Sequence, residues 1–173
     1  MKKLLATLLF TALVSGCATS SSISTKNNVS VAKMQISSVK VNLKQKYVNP
    51  TFYSQTDIEQ YLNKCLMVEL SKTGKYQVNS NNNLNVNVDY KRVYVGEAFG
   101  MKTAVSAPKI DYSYQISNGN QVLQQKQEND LTVTSGLLGN LKTIATMDLN
   151  NTEKSSENSY LDALCKHITD EVY

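Results

Sequence analysis

The sequence predicts an α+β fold: an antiparallel sheet with two amphipathic helices packed on one face, in the order β-α-β-β-β-β-α. Stretches that alternate apolar with polar residues indicate strands with one face in water. Residues 57–73 and 158–173 instead place apolar residues at helical spacing. Because the strands are grouped between these helices and do not alternate with them, α+β is favoured over a parallel α/β layer.

The first strand is predicted to be long and bent. Apolar residues recur at alternate positions from Val29 to Leu43, but their phase slips twice on the way, which is typical of a bulge. Pro50 follows and ends the strand, because proline has no amide hydrogen to donate to a ladder.

The first helix is predicted over residues 57–73. Thr56 and Glu59 have the spacing of a capping box, in which each side chain accepts a hydrogen bond from the other residue's backbone N–H. Gly74 follows as the stop signal. One face of this helix is apolar, and it carries Cys65.

The remaining elements are further strands and a second helix. Asn118 and Gly119 predict a tight hairpin turn between two of the strands, because both residues tolerate positive φ. In chain order, the predicted elements are strands at residues 75–78, 84–90, 110–116 and 121–133, followed by the helix at residues 158–173.

The amino terminus has the layout of a secretory signal. Lys2 and Lys3 precede an uncharged apolar run at residues 4–14, and small residues follow. A bilayer core of about 30 Å needs roughly 20 apolar residues, so this run is too short to span it. We therefore expect cleavage and export, not a transmembrane anchor.

The junction LVSGC, which ends at Cys17, resembles the bacterial lipoprotein lipobox. The resemblance implies that Cys17 carries a diacylglyceryl group, that cleavage occurs before it, and that the new amino terminus is acylated. Several acyl chains make a firm membrane anchor. Ala18 stands where an aspartate would hold the protein back, which implies the outer membrane, with the periplasmic face as the default. The alternative is an ordinary cleaved signal with a chance cysteine.

The predicted organisation has three parts. Residues 1–16 form the signal peptide, and residues 29–173 form a single periplasmic domain. Residues 17–28 between them are rich in Ser, Thr and Asn with one apolar residue, too few to order the segment by burial, so we expect a flexible tether.

The charge balance argues against a nucleic-acid partner. Removing Lys2 and Lys3 with the signal leaves sixteen basic residues against 14 acidic ones, a net charge of +2. Lys91 and Arg92, flanked by tyrosines, form an isolated basic pair, which is more typical of a solvated strand face than of a nucleic-acid footprint.

Cys65 and Cys165 lie on the apolar faces of the two predicted helices, and two interpretations of them stay open. If the helices pack side by side, an oxidising periplasm permits a disulfide between them. Free cysteine is, however, also common as a small buried hydrophobe.

No catalytic, metal or cofactor site is predicted, and we expect the protein not to be an enzyme. His167 is the single histidine of the chain. On a helix its side chain points away from that of Cys165, two residues earlier, so the two cannot share one ion. The sequence also lacks the recognised hydrolase, zinc and phosphate-loop motifs.

Two loops are candidate partner-binding segments. Residues 96–108 carry Phe99 and Met101 among small residues, and loops of this length are often functional. Residues 135–149 place apolar residues at helical spacing, which suits docking on a partner or a membrane surface. The alternative is that both loops simply close the ends of the core. The apolar residues of the second loop include Leu137, Leu138 and Leu141.

The whole chain resembles small Gram-negative outer-membrane lipoproteins of the YajG type. The resemblance is carried by the tether, the helix that closes in LSKTGKYQV, the strand LNVNVDYKRVYV, the hairpin and the terminal helix. A similar plan of two helices on a sheet occurs in the lipopolysaccharide-transport lipoprotein LptE. It implies a non-enzymatic accessory component of the envelope with an envelope protein partner. A carrier of a small lipid-like or glycan ligand is the alternative.

Overall fold

The computed structural model describes residues 23–26, 33–95, 99–100, 104–132 and 154–172. These residues form five strands and two helices, with both helices on one face of the sheet. In chain order the elements are β1 Ile23–Lys26, β2 Gln35–Lys44, α1 Gln55–Lys72, β3 Asn82–Lys91, β4 Lys109–Asn118, β5 Gln121–Thr132 and α2 Ser155–Glu171.

The five strands lie in the order β1-β5-β4-β3-β2. The predicted α+β class and the two helices on one sheet face are confirmed. The neighbouring pairs β1–β5, β5–β4 and β4–β3 are antiparallel, but β3 and β2 are parallel, so the sheet is mixed and not purely antiparallel as predicted. The physical reason is α1, which carries the chain from the end of β2 back to the start of β3, as a parallel pair requires.

The core fills the space between the sheet and the helices. Alternate residues of β3 and β4 point toward the helices and are buried, and the residues between them lie on the opposite face. The two helices contribute apolar stripes to the same cluster. The fully buried side chains of this cluster include Met34, Ile58, Leu62, Leu66, Leu84, Val86, Ile110, Ile116, Leu161, Leu164 and Ile168.

α1 begins two residues earlier than predicted. Ser54 is its N-cap and accepts a hydrogen bond from the Asp57 amide, while the Asp57 carboxylate accepts one from the Ser54 amide. Thr56 and Glu59 were the predicted capping pair, and this prediction is wrong. Ser54 and Asp57 have the same spacing of three residues, and Glu59 is used elsewhere: its Oε1 accepts a hydrogen bond from the Val41 amide.

The bulge predicted in the first strand is confirmed. The register of β2 against β3 shifts between Ile36 and Ser38. The short strand predicted at residues 75–78 is reduced to a single parallel bridge between Met34 and Tyr76.

The predicted hairpin joins β4 and β5, but Asn118 is the last residue of β4 and not one of the two central residues of the turn. Asn118 pairs with Gln121, so Gly119 and Asn120 are the central residues. Gly119 has a φ of 54°, a conformation that glycine adopts without a steric penalty.

The predicted tether is partly structured. Ile23–Lys26 lie within residues 17–28 and form β1, which pairs antiparallel with β5 at the edge of the sheet. Backbone hydrogen bonds to an existing strand order these four residues without the burial that the composition argument required.

Among the described residues, no helix combines the length and the apolar character needed to cross a membrane.

Candidate functional site

Cys65 of α1 and Cys165 of α2 form a disulfide, with their Cα atoms 6.2 Å apart. The bond joins the two helices across 100 residues of sequence. The structure thus decides between the two interpretations that the sequence left open. Since the chain has three cysteines, Cys17 is the remaining thiol; it lies outside the described residues.

Residues 92–108 connect β3 to β4, and we call this segment the arm. Tyr94 and Val105 bridge its two sides, and the Ser106 amide donates to the Val93 carbonyl at 2.8 Å. Tyr94 and Val105 are buried against Phe52 in a small second apolar cluster. The base of the arm therefore closes an end of the core, as one of the two alternatives for this loop predicted.

Phe99 behaves differently from the base of the arm. Its side chain is 87% exposed, the largest exposure among the large apolar residues of the described chain. An aromatic ring in water has no role in the core, so Phe99 remains a candidate contact residue. The other predicted contact residues, Met101, Leu137, Leu138 and Leu141, lie outside the described residues.

The sheet face opposite the helices is polar, and we call it the open face. It has no helix on it among the described residues, and amide, hydroxyl, carboxylate and ammonium groups line it in regular rows. Strand alternation places these residues on one side. Its members include Lys40, Asn42, Asn85, Asn87, Asp89, Asp111, Ser113, Gln115, Gln125, Gln127 and Asn129.

Side-chain hydrogen bonds tie the open face together between β2 and β3. Asn42 Nδ2 donates to Asp89 Oδ1 and Lys44 Nζ to Asp89 Oδ2, both at 2.8 Å. Hydrogen bonds from Lys44 and then Asn42 lower the pKa of Asp89. The same bond to Asp89 raises the pKa of Lys44. Both groups therefore keep their charges over a wide pH range.

One row of the open face consists of lysines. Lys44 is opposite Lys91 in the β2–β3 register, and Lys91 is opposite Lys109 in the β3–β4 register. Directly opposed side chains on neighbouring strands have Cβ atoms about 4.5–5.5 Å apart, and like charges there destabilise the sheet. This lysine row, Lys44, Lys91 and Lys109, is the last row before the strands end at the arm. Asp89 pairs with Lys44 and is opposite Asp111 in the next row, so the positive charge of the row lies mainly on Lys91 and Lys109.

A cleft of about 440 Å³ opens on this face beside the lysine row. Its lining is mainly amide groups, which both donate and accept hydrogen bonds, and carboxylate groups, which accept them. The lining includes Asn42, Asn87, Asp89, Asp111, Ser113, Gln127 and Asn129.

The structure overturns the prediction that Arg92 lies on a solvated strand face. Its side chain is 2% exposed, and Nε and Nη2 each donate to the Glu157 carboxylate at 2.9 Å. Further guanidinium hydrogen bonds reach Gln45 Oε1 and the Tyr53 carbonyl. Strand alternation alone points Arg92 toward the helices, but its anionic partner is 65 residues away in the sequence.

His167 belongs to a second polar cluster, on the helix side of β5. Its Nε2 lies 3.2 Å from Glu128 Oε2, which also accepts hydrogen bonds from the Tyr112 hydroxyl and the Lys126 ammonium at 3.0 Å. Burial raises the pKa of Glu128, but the hydrogen bonds from Lys126, His167 and Tyr112 outweigh it, and the pKa is lowered overall. Burial and the Glu128 charge raise the pKa of Tyr112.

The described part of the chain contains no group of three or more His, Cys, Asp and Glu side chains placed to hold a metal ion. His167 and Cys165 diverge, as the helix geometry predicted, since Cys165 is bonded to Cys65 and His167 faces Glu128. The sequence analysis missed the lysine row. Alternation places each lysine on the polar side of its strand, but the register that aligns them was not predictable from spacing.

No protein-family model matches the chain, and no curated protein matches its sequence. Solved structures that are similar to it include the following two. One is described as a minor lipoprotein from Acinetobacter baumannii, with 17% identity and a TM-score of 0.39 over 82% of this chain and 91% of that one. The other is the PelC dodecamer from Paraburkholderia phytofirmans, with 11% identity and a TM-score of 0.41 over 84% of this chain and 98% of that one. At these values neither structure assigns a function to this chain.

Proposed function

We propose that this chain is a lipid-anchored lipoprotein of the bacterial outer membrane whose periplasmic domain is a non-enzymatic accessory component of the envelope. Its partner is an envelope protein, and the lipid on Cys17 holds the domain at the membrane.

Two independent features support the location. The junction that ends at Cys17 has the lipobox pattern. The disulfide between Cys65 and Cys165 suits an oxidising compartment such as the periplasm and is rare in the cytosol.

The observation that carries the binding role is the open face. It presents rows of amides and hydroxyls together with the partly neutralised charges of Asp89 and Lys44. Such a surface offers many directional hydrogen bonds and little apolar area, which resembles the rim of a transient protein interface more than the core of an obligate one. We therefore place the partner on this face.

The non-enzymatic assignment rests on how the titratable groups are used. Glu128 is the shared acceptor of Tyr112, Lys126 and His167, and Glu157 is the shared acceptor of Arg92 and Tyr90. Both clusters join the sheet to α2, so the charges of Glu128 and Glu157 stabilise the packing of that helix on the sheet.

Lipidation is tested by mass spectrometry of the protein extracted from membranes. We expect the tryptic peptide that begins at Cys17 to carry a diacylglyceryl group and an amide-linked acyl chain, and the protein to fractionate with the outer membrane. Cys17→Ala is the control and is expected to remain uncleaved. An unmodified Cys17 in the native protein would contradict the anchor.

The partner is tested by photocrosslinking in cells from positions on the open face. Photoreactive residues at Ser113 and Gln127 are expected to give one discrete protein adduct. The same residue at Val78, which is 64% exposed and lies outside the open face, is the matched control. Adducts of the same mass and yield from Val78 would show that the open face has no special role.

A glycan ligand is the second candidate, and the cleft of about 440 Å³ favours it. Paired hydrogen-bond donors and acceptors suit sugar hydroxyls better than an acyl chain. Native mass spectrometry of the detergent-extracted protein separates the two functions: a bound small mass supports the carrier, and a co-purifying protein supports the accessory component.

A further inference from the structure

We infer that the sheet end carrying the arm faces the membrane and contacts the lipid surface through Phe99 and the lysine row. We call this the arm end; β2, β3 and β5 finish there and β4 begins there. The inference rests on the proposed lipid anchor and adds to it an orientation and a second membrane contact.

The first argument is the direction of β1. Ile23 is opposite Gln127 and Lys26 is opposite Gln124, so β1 runs against β5. Followed backward from Ile23 toward Cys17, the chain therefore leaves the sheet in the direction in which β5 ends at Thr132. This direction leads to the arm end and away from the Gly119 hairpin.

The second argument is reach. Cys17 precedes Ile23 by six residue steps, which span at most about 20–22 Å when fully extended. The end of β5 lies five residues beyond the position opposite Ile23, or about 17 Å along the strand. An anchor at Cys17 therefore has just enough chain to reach a membrane at the arm end. An anchor at Cys17 can place the membrane at the Gly119 hairpin, at the other end, only if the chain reverses its direction at Ile23.

The third argument is the position of exposed apolar side chains. Phe99 and Val48 are 87% and 82% exposed, more than any other large apolar residue of the described chain. Phe99 lies in the chain between Tyr94 and Val105, which bridge the arm, and Val48 lies between β2 and α1, so both belong to connections at the arm end. The two most exposed apolar side chains are therefore in connections at the arm end, while Val78, at the opposite end, is 64% exposed.

The fourth argument is charge. The lysine row lies on the last residues of β2 and β3 and the first residue of β4, so it too is at the arm end. Lys91 and Lys109 are exposed. Anionic lipid headgroups attract lysines near the surface, and they relieve the repulsion between lysines held on adjacent strands. An anionic lipid surface offers both headgroups that pair with the lysines and an apolar region that can bury the ring of Phe99.

The test uses single tryptophans, because the chain contains none. Full-length Phe99→Trp and Val78→Trp variants are purified from membranes and reconstituted in vesicles of phosphatidylethanolamine and phosphatidylglycerol that contain brominated lipid. We expect loss of fluorescence and a blue shift for Phe99→Trp and neither for Val78→Trp, the matched control at the opposite end. Equal quenching of the two variants, or none in either, overturns the orientation.

The proposed anchor and the orientation fail in different ways. Mass spectrometry of the same samples reports whether Cys17 is acylated. If it is not, the anchor proposal fails, and the Cys17 thiol is coupled to a maleimide lipid, since the other two cysteines are bonded to each other. The quenching measurement is then repeated on the maleimide-coupled protein. Quenching of Phe99→Trp alone supports the orientation, and equal or absent quenching in the two variants overturns it.

The lysine row is tested in the Phe99→Trp background after Cys17→Ser and deletion of residues 1–16 together remove the anchor and the signal. Replacing Lys91 or Lys109 with Gln is expected to weaken binding to anionic vesicles by about fivefold per lysine. Lys75→Gln, at the opposite end, is the control and is expected to leave binding unchanged. Equal effects of all three substitutions would overturn the role of the row.

Discussion

Arg92 and Glu157 form an ion pair whose side chains are 2% and 1% exposed. Removing two charges from water costs more than their attraction returns unless hydrogen bonds satisfy the remaining polar atoms. Here Glu157 Oε1 also accepts from the Tyr90 hydroxyl at 3.1 Å, and Glu157 Oε2 from the Tyr53 amide at 3.2 Å. Each partner comes from a different part of the chain, so the pair joins the end of β3, the start of α2 and the segment before α1.

We predict that Arg92→Met lowers the free energy of unfolding by about 3–5 kcal/mol, because it leaves the Glu157 carboxylate buried without its counter-ion. The double variant Arg92→Met with Glu157→Leu is expected to recover most of that loss, since no buried charge remains. Urea unfolding followed by circular dichroism measures both. A double variant no more stable than the single one would show that the pair has a further role beyond charge compensation.

The Glu128 cluster predicts a pH dependence of stability. Hydrogen bonds from Lys126, His167 and Tyr112 lower the pKa of Glu128 in the folded state despite its burial. A lowered folded pKa means that the stabilisation is fully present above the unfolded value of about 4.3 and is lost as the pH falls through the folded value. Comparing urea unfolding of the protein and of Glu128→Gln between pH 7 and pH 3 tests this. The two curves are expected to converge at the acid end, and a constant gap would contradict the prediction.

At the scale of elements, the N-cap of α1 is Ser54 in the structure, whereas the sequence predicted Thr56. Ser54→Ala is predicted to cost about 1 kcal/mol of stability, because it removes the acceptor for the Asp57 amide. Thr56→Ala is the matched control two residues later, inside the helix, and is expected to have little effect. Thermal unfolding of both variants decides between the observed and the predicted cap, and equal losses would contradict the assignment to Ser54.

The disulfide is the covalent connection between α1 and α2. Replacing both Cys65 and Cys165 with Ala is predicted to lower stability by about 4–5 kcal/mol, because a loop of about 100 residues is no longer closed in the unfolded chain. Cys17→Ala leaves the domain unchanged and is the control. Guanidinium unfolding measures the difference. Equal stability of the oxidised and double-Ala proteins would contradict a constraint on the unfolded chain.

α1 also protects the edge of the sheet. Glu59 Oε1 accepts from the Val41 amide at 3.0 Å, and Gln55 Oε1 accepts from the Leu43 amide at 3.4 Å. Unpaired amides on an edge strand would otherwise invite pairing with another chain. At this edge a partner strand would have to displace helix side chains, which favours binding through the open face over strand addition at β2.

At the scale of the whole molecule, β1 shortens the connection between the domain and the proposed anchor at Cys17. Five residues, 18–22, separate Cys17 from the first strand. So short a connection limits the distance between β1 and the proposed anchor, because a chain spans at most about 3.3–3.6 Å per residue even when fully extended. The orientation of the domain is thus a property of strand pairing as well as of the anchor.

Inserting about ten Gly and Ser residues after Ala18 is predicted to reduce, without abolishing, the brominated-lipid quenching of the Phe99→Trp variant. The longer coil lowers the effective concentration of the arm end at the bilayer, while the contact of Phe99 and the lysine row with lipid remains. The urea midpoint is expected to stay unchanged, since the insertion lies outside every described element. Undiminished quenching would show that the arm binds lipid by its own affinity and does not depend on a short connection.

Local pattern was sufficient for much of this architecture. Alternation located β3 and β4, and helical spacing located α1 and α2 to within three residues at either end. An element that buries one face repeats apolar residues every two positions in a strand and about every 3.6 in a helix. These features can therefore be recognised from a short stretch of sequence. The lipobox at Cys17 and the pairing of Cys65 with Cys165 as candidates also followed from position within such patterns.

The features that could not be predicted locally involve residues distant in sequence. The parallel pairing of β2 with β3, the lysine row, the Arg92–Glu157 pair and the docking of β1 on β5 all depend on which segments meet and in what register. A strand's period of two specifies its faces but neither its neighbour nor its register. For this protein, local sequence patterns were sufficient to predict the elements and to propose a lipid anchor at Cys17. The packing of the elements decided which surface is open and, in our proposal, which end faces the lipid.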